Sequence, residues 1–175
     1  MDIFSHGLWG GVGFGRKTKS YFLQAVFLGM LPDLMSFGIH NAAMHMGFVP
    51  MIDWSKGHPT MNEIPLFVHR LYDISHSLVI FSLAFALIWF IRKKPYIPFL
   101  SYGFAVALDI PTHSKDFFAT PFLWPISDYQ FDGVSWGHPY IFFPNVILLV
   151  LAYLAWYLFW RKRVKKRTNQ LSTPG

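Results

Sequence analysis

Residues 141–160 form a run of twenty without a single charge. As a helix this run is about 30 Å long, the thickness of a bilayer's hydrocarbon core. It closes on Trp156, Tyr157 and Trp160 and leads directly into the basic stretch 161–167. Interfacial aromatics followed by clustered Lys and Arg mark the cytoplasmic end of a membrane span. Composition agrees with this class: 53% of the 175 residues are hydrophobic, above the roughly 45–50% of soluble domains even before Gly is counted.

The charges sort along the chain. Twelve of the fifteen Lys and Arg residues fall into three clusters, at 16–19, 92–94 and 161–167. All nine acids and all eight histidines lie elsewhere, and the apolar stretches run between the two kinds of segment. Basic clusters stay on the cytoplasmic side of a multi-pass membrane protein. Every histidine and carboxylate is then expected at or beyond the opposite face. The net charge of +6 is juxtamembrane, so it is explained by topology and anionic headgroups and not by nucleic acid. The absence of cysteine excludes disulfides and thiolate metal sites, leaving His and carboxylate as the metal-binding residues. The N-terminal stretch lacks the basic n-region and the small-residue cleavage site of a secretory signal.

Five apolar stretches are expected as helices: 3–15, 21–39, 78–91, 96–108 and 141–160. The first is short for a span, and its five glycines permit close packing against neighbours. The fold class is therefore an all-α, polytopic transmembrane helical bundle of about five membrane helices. One integral-membrane domain covers residues 1–160 and a short, partly disordered basic tail covers 161–175. With the basic clusters inside, the N-terminus faces out and the C-terminus faces the cytoplasm. Residues 40–65 read as a polar, turn-rich segment and 114–139 as a long aromatic outer loop.

Candidate chemistry gathers at the outer ends of these helices. His69, Asp73 and His76 are spaced i, i+4 and i+7, which places them within about 60° of one another on a helix. Such a stripe can converge on one cation, or its carboxylate can orient an imidazole. The same segment also suits an interfacial helix start capped by Ser75 or Ser77. Asp109 and His113 are one turn apart, with Pro111 expected to end the helix between them. An ionised Asp at a helix end in lipid costs about 3 kcal/mol on insertion scales, so Asp109 needs a partner or a role. Asp33 is the one charge in its apolar stretch and follows Pro32, whose kink would open a pocket. His6 sits in the first turns of the first helix. His40, His45, His58 and His138 read as solvated loop histidines, and nothing in the spacing selects among Glu63, Asp116, Asp128 and Asp132 as a base. The Gly10-Gly11-x-Gly13-x-Gly15 run lacks the context of a phosphate loop, and neither HExxH nor Gly-x-Ser-x-Gly is present.

The segments MDIFSHGLWGG, GMLPDL, HRLYDISHSL and LDIPTHSKDFFATPFLWP resemble the bacterial inner-membrane family described as membrane-bound metal-dependent hydrolases, a domain-of-unknown-function family. The resemblance covers most of residues 1–140. That family is in turn distantly similar to zinc-dependent phospholipase C, an all-helical fold binding metal through His and Asp from several helices. The resemblance implies that His6, Asp33, His69, His76, Asp109 and His113 are the equivalent polar positions. Members often carry a His four residues before the aspartate of DIPTH, where this chain has Ala105.

The expected function is a metal-dependent hydrolase in the bacterial inner membrane, with its site on the outward face. His6, His69, His76, Asp109 and His113 are the expected metal ligands, and Asp33 or Asp73 the expected base. The ion is expected to be divalent, zinc first and manganese or iron next. Membrane lipids are the expected partners, with a lipid or lipid-linked ester or phosphoester as substrate and no nucleic acid. A non-enzymatic metal-binding, transport or scaffolding protein is the alternative, since ionisable groups in a membrane mark ion pathways as well as active sites.

Overall fold

The computed structural model describes residues 1–52 and 59–171, with side chains described through Phe159. Among the described residues the regular structure is all helical, with no strand. Seven α-helices follow in order: α1 (Ile3–Phe14), α2 (Lys19–Asp33), α3 (Ile39–His45), α4 (Leu66–Ser75), α5 (Leu78–Arg92), α6 (Leu100–Thr112) and α7 (Pro139–Leu171). Three starts carry a side-chain cap. Asp2 caps α1 by accepting from Ser5 N at 2.9 Å, and Thr18 caps α2 by accepting from Tyr21 N at 3.1 Å. Ser77 accepts from both Val79 N and Ile80 N at 3.1 Å and so starts α5.

Two boundaries differ from expectation. The second apolar stretch does not end at residue 39; it passes through a π-helical segment, Leu34–Gly38, and continues as α3 to His45. Pro32 inside α2 cannot donate a backbone hydrogen bond, and the buried Ser36 hydroxyl takes the Pro32 carbonyl at 3.2 Å. The chain widens there instead of breaking. The helix expected from residue 78 does start there, capped by Ser77, and α4 meets it at a 55° bend. Pro111 does not end α6, which runs on to Thr112. The carbonyls left open around it are taken by the returning loop. Val134 N donates to Pro111 O at 3.0 Å, Trp136 N to Thr112 O at 2.9 Å and Gly133 N to His113 O at 2.9 Å.

Two helical stretches, Lys19–His45 and Pro139–Phe159, are long and apolar enough to cross a membrane. The bent pair α4–α5 makes a third if it is one span. This is fewer than the five expected: α1 has 12 residues, and the apolar stretch Ile97–Thr112 has 16, short of the ~20 a span needs. Only 11% of the apolar window of α7 is buried within the protein. Its Ile147, Leu148 and Val150 side chains are each more than half exposed, as are Leu83, Leu87 and Phe90 on α5. A helix that is apolar all round and unburied needs a hydrocarbon surrounding. The backbone of α7 continues as helix through Leu171 instead of fraying after residue 160, in keeping with the good helix propensity of Lys and Arg. The basic side chains of the expected tail lie outside the described residues, as does His58.

The centre of the bundle is polar. α1 lies against α2 with so little separation that a Cβ on Gly29 would sit 2.6 Å from His6 O, and one on Gly10 would sit 2.6 Å from Ala25 O. Two small residues thus set how deeply His6 enters the bundle. A compact apolar cluster of Ile64, Val68, Tyr72 and Phe118 packs beside it, with Phe37 and Phe117 at its edge.

Candidate metal centre

His6, Asp33 and Asp109 come from α1, α2 and α6, and each offers one ligand atom within 4.8 Å of the others. His6 stands between the two carboxylates. Its Nδ1 is 3.0 Å from Asp33 Oδ2, and its Nε2 is 3.0 Å from Asp109 Oδ1. His76 approaches from the α4–α5 bend, with Nε2 at 3.4 Å from Asp33 Oδ1 and 3.6 Å from Asp109 Oδ2. His6, His76 and Asp109 are fully enclosed. His113, the residue that ends α6, lies 3.2 Å from Asp109 Oδ1 through Nδ1, and the Met1 amine contacts the same oxygen.

The other ring nitrogens are held in place. Asp33 accepts from His6 Nδ1–H. Ser75 Oγ lies 2.9 Å from His76 Nδ1 and 3.5 Å from Tyr72 O, so the hydroxyl donates to the carbonyl and accepts from the ring. Tyr72 stacks on the His76 ring at 3.9 Å between centroids, and its own hydroxyl donates to Phe118 O at 2.8 Å. Tyr102 donates to Ser75 O at 2.8 Å. With Nδ1 of His6 against Asp33 and Nδ1 of His76 against Ser75, each ring turns its Nε2 toward the cluster, the nitrogen that would serve as a metal ligand.

These residues fit a divalent ion. Ligand bonds of about 2.0–2.1 Å put neighbouring donors of a tetrahedral site about 3.3 Å apart. The donor separations of 3.0, 3.4 and 3.6 Å bracket that value. Among the described residues, His6 Nε2, His76 Nε2 and Asp109 Oδ2 are buried without a hydrogen-bond partner. The 3.0 Å contact of His6 Nε2 with Asp109 thus brings the two atoms together without hydrogen-bond alignment. Unpaired buried polar atoms are rare, and two of these three residues, His6 and Asp109, belong with Asp33 to the group whose ligand atoms could share a cation. Asp109 is fully enclosed and Asp33 partly so, and buried carboxylates need cationic partners, which the Met1 amine supplies for Asp109.

The expected set is thus partly redrawn. Asp33, expected as a base, stands among the ligand atoms. His69 is not in the cluster. Its Nε2 is 3.1 Å from Met61 O and its ring stacks on Phe118 at 4.9 Å. Asp73 points away and sits 3.9 Å from Arg70 Nη1 at a part-exposed position. The i, i+4, i+7 stripe fails because α4 ends at Ser75, and His76 leaves the helix at the bend with φ −103° and ψ 21°. Glu63 accepts from Thr60 N at 2.7 Å and Asp132 from Lys115 N at 2.9 Å, both capping local turns. His45 and His138 are exposed as expected, but His40 is buried. The roles of Ser75 and Tyr72 carried no signal beyond their closeness to His76.

Beside the cluster lies a cavity of about 640 Å³, reached by Asp33 and His113 and walled largely by apolar side chains such as Phe37, Ile64 and Phe118. Phe117 and Phe118 of the aromatic loop close one side of it, while Phe122 and Trp124 lie outside it. Compared with known proteins, the chain finds no match: no family model, no curated protein and no solved structure corresponds to it.

Proposed function

We propose that this chain is a membrane-bound, metal-dependent hydrolase acting on ester or phosphoester bonds of a lipid or lipid-linked substrate. The observation that carries this reading is the gathering of ligand atoms of His6, Asp33 and Asp109 within 4.8 Å of one another beside an apolar cavity. His6, His76, Asp33 and Asp109 would hold the ion, and N/O donors in near-tetrahedral separation favour zinc over manganese or iron. When bound, such an ion makes water a strong nucleophile near neutral pH and polarises the bond under attack. The chain's own residues do the rest. Ser75 and Asp33 hold the two rings. His113, at the cavity wall and 11% exposed, is placed to take and return a proton. The aromatic loop screens the site from water.

The reading includes an orientation. α2 begins beside Arg16, Lys17 and Lys19, α5 ends at Arg92, and α7 leads into the basic stretch 161–167. Asp33, His76 and Asp109 belong to the opposite ends of their helices. By the positive-inside rule the site faces outward from a bacterial inner membrane, with the C-terminus in the cytoplasm. α1 and α6 then act as short membrane-embedded helices shielded by the longer ones.

Elemental analysis of purified protein tests the centre. About one divalent ion per chain is expected for the wild type, and strong loss for Asp109→Ala and His6→Ala. Equal metal content in all three would remove the reading.

A further inference from the structure

Resting on that hydrolase reading, we propose that the substrate is a single-chain acyl ester with an uncharged reacting group, and that His40 contacts its polar part. The charge distribution excludes a phosphate monoester. Asp33 and Asp109 together match the charge of a divalent ion, the Met1 amine at the cavity wall is paired with Asp109, and Asp2 beside it accepts from Ser5. Among the described residues, no Lys or Arg lines the cavity. A dianionic phosphate entering such a site would lose its hydration with no cationic fork to replace it. A carboxylic ester carries no such cost.

Size and walls select a single chain. The cavity's 640 Å³ falls within the roughly 300–1,000 Å³ of pockets that enclose one small ligand. Phe37, Met44, Ile52, Ile64 and Phe117 offer an apolar channel for one alkyl chain. A two-chain lipid would leave its second chain outside.

His40 is the unabsorbed polar group of this cavity. It is 3% exposed, lines the cavity, and makes no hydrogen bond to any described residue. Its one ring contact is edge-on to Phe67 at 6.3 Å. The π-helical segment between Asp33 and His40 leaves both of them at the cavity, and such segments recur at functional sites. An enclosed imidazole with open hydrogen-bonding capacity, across an apolar cavity from the ligand cluster, fits the hydroxyl or carbonyl of an ester substrate. Hydrolysis adds water across the acyl C–O bond. The hydroxyl joins the carbonyl carbon, the C–O bond breaks with its electron pair going to the alcohol oxygen, and that oxygen takes the proton. A carboxylic acid and an alcohol result.

The test uses the full chain in nanodiscs with added zinc and two readouts. The first is turnover of 4-nitrophenyl acetate, octanoate and palmitate against 4-nitrophenyl phosphate and 4-nitrophenyl phosphorylcholine. We expect kcat/KM for octanoate to exceed acetate by at least ~10-fold, because each buried methylene adds to binding, with neither phosphoester turned over. His40→Leu should raise KM by roughly 3–10-fold while His40→Gln stays near wild type. The second readout needs no metal: a bromoalkyl glycerol ether should quench Trp136, which lines the cavity, with the quenching absent in Trp136→Phe. Phosphoester turnover with inert acyl esters would overturn the inference and leave the hydrolase reading intact. No turnover of either class, with Trp136 still quenched, would remove both readings. Acyl-ester turnover without quenching would overturn the single-chain cavity alone.

Discussion

The second nitrogen of each imidazole decides what the first can do. His76 Nδ1 is held by Ser75 Oγ at 2.9 Å, which leaves Nε2 as the inward-facing donor. Ser75→Ala is expected to lower metal affinity about 10-fold without unfolding the bundle, read by competition with a chromogenic chelator. His69→Ala should leave metal content unchanged, because that ring bonds Met61 O and stacks on Phe118 away from the cluster. Loss of the ion in that variant would mean that the site is drawn wrongly. Acid works against the ion at both rings: a proton on Nε2 and a cation on Nε2 exclude each other, so occupancy falls as pH falls. His6, Asp33, Asp109 and His113 were legible as candidates because a charge or imidazole inside an apolar stretch has few inert explanations. His40 was not legible, because burial of a loop-like histidine depends on what folds over it.

Helix crossings position these groups. At Gly29 an added methyl would meet the backbone of His6 itself, at 2.6 Å from its carbonyl oxygen. Backbone cannot give way as a flexible side chain does, so Gly29→Ala should lower the thermal midpoint and the metal content together. Gly13→Ala is the matched control. Nothing lies within 4 Å of its added Cβ, and Ala is favoured over Gly inside a helix by about 1 kcal/mol. Metal content should hold and the midpoint should stay level or rise. α1 and α5 were readable from uncharged runs bounded by a cap and a basic stop. The bend between α4 and α5 was not. Ser77 was readable as a cap, but not the angle at which the two helices meet, which the loop helps to fix through Leu78 N to Phe122 O at 3.0 Å. The π segment was equally hidden, since Pro32 announces a disturbance but not its form.

Across the whole molecule, an apolar exterior surrounds a polar centre. With 11% of the α7 window buried, the bilayer must supply the contacts that the protein does not. Because the chain has no cysteine, single substitutions report topology cleanly. Asp128→Cys in the aromatic loop should react with an impermeant maleimide in intact cells, and Lys94→Cys only after permeabilisation. The reverse pattern would invert the proposed orientation and put the site on the cytoplasmic side.

The sequence alone determined the helical class, the apolar exterior and the ends at which charge collects. These follow from residue-by-residue transfer energies and short-range periodicity, which need no knowledge of neighbours. Only the tertiary structure decided which of those charges meet. A change of direction at the α4–α5 bend brings His76 to Asp33 and Asp109 and leaves His69 and Asp73 outside. That choice depends on contacts among residues far apart in the chain, where Tyr102 of α6 holds the Ser75 carbonyl and Phe118 of the loop holds Tyr72.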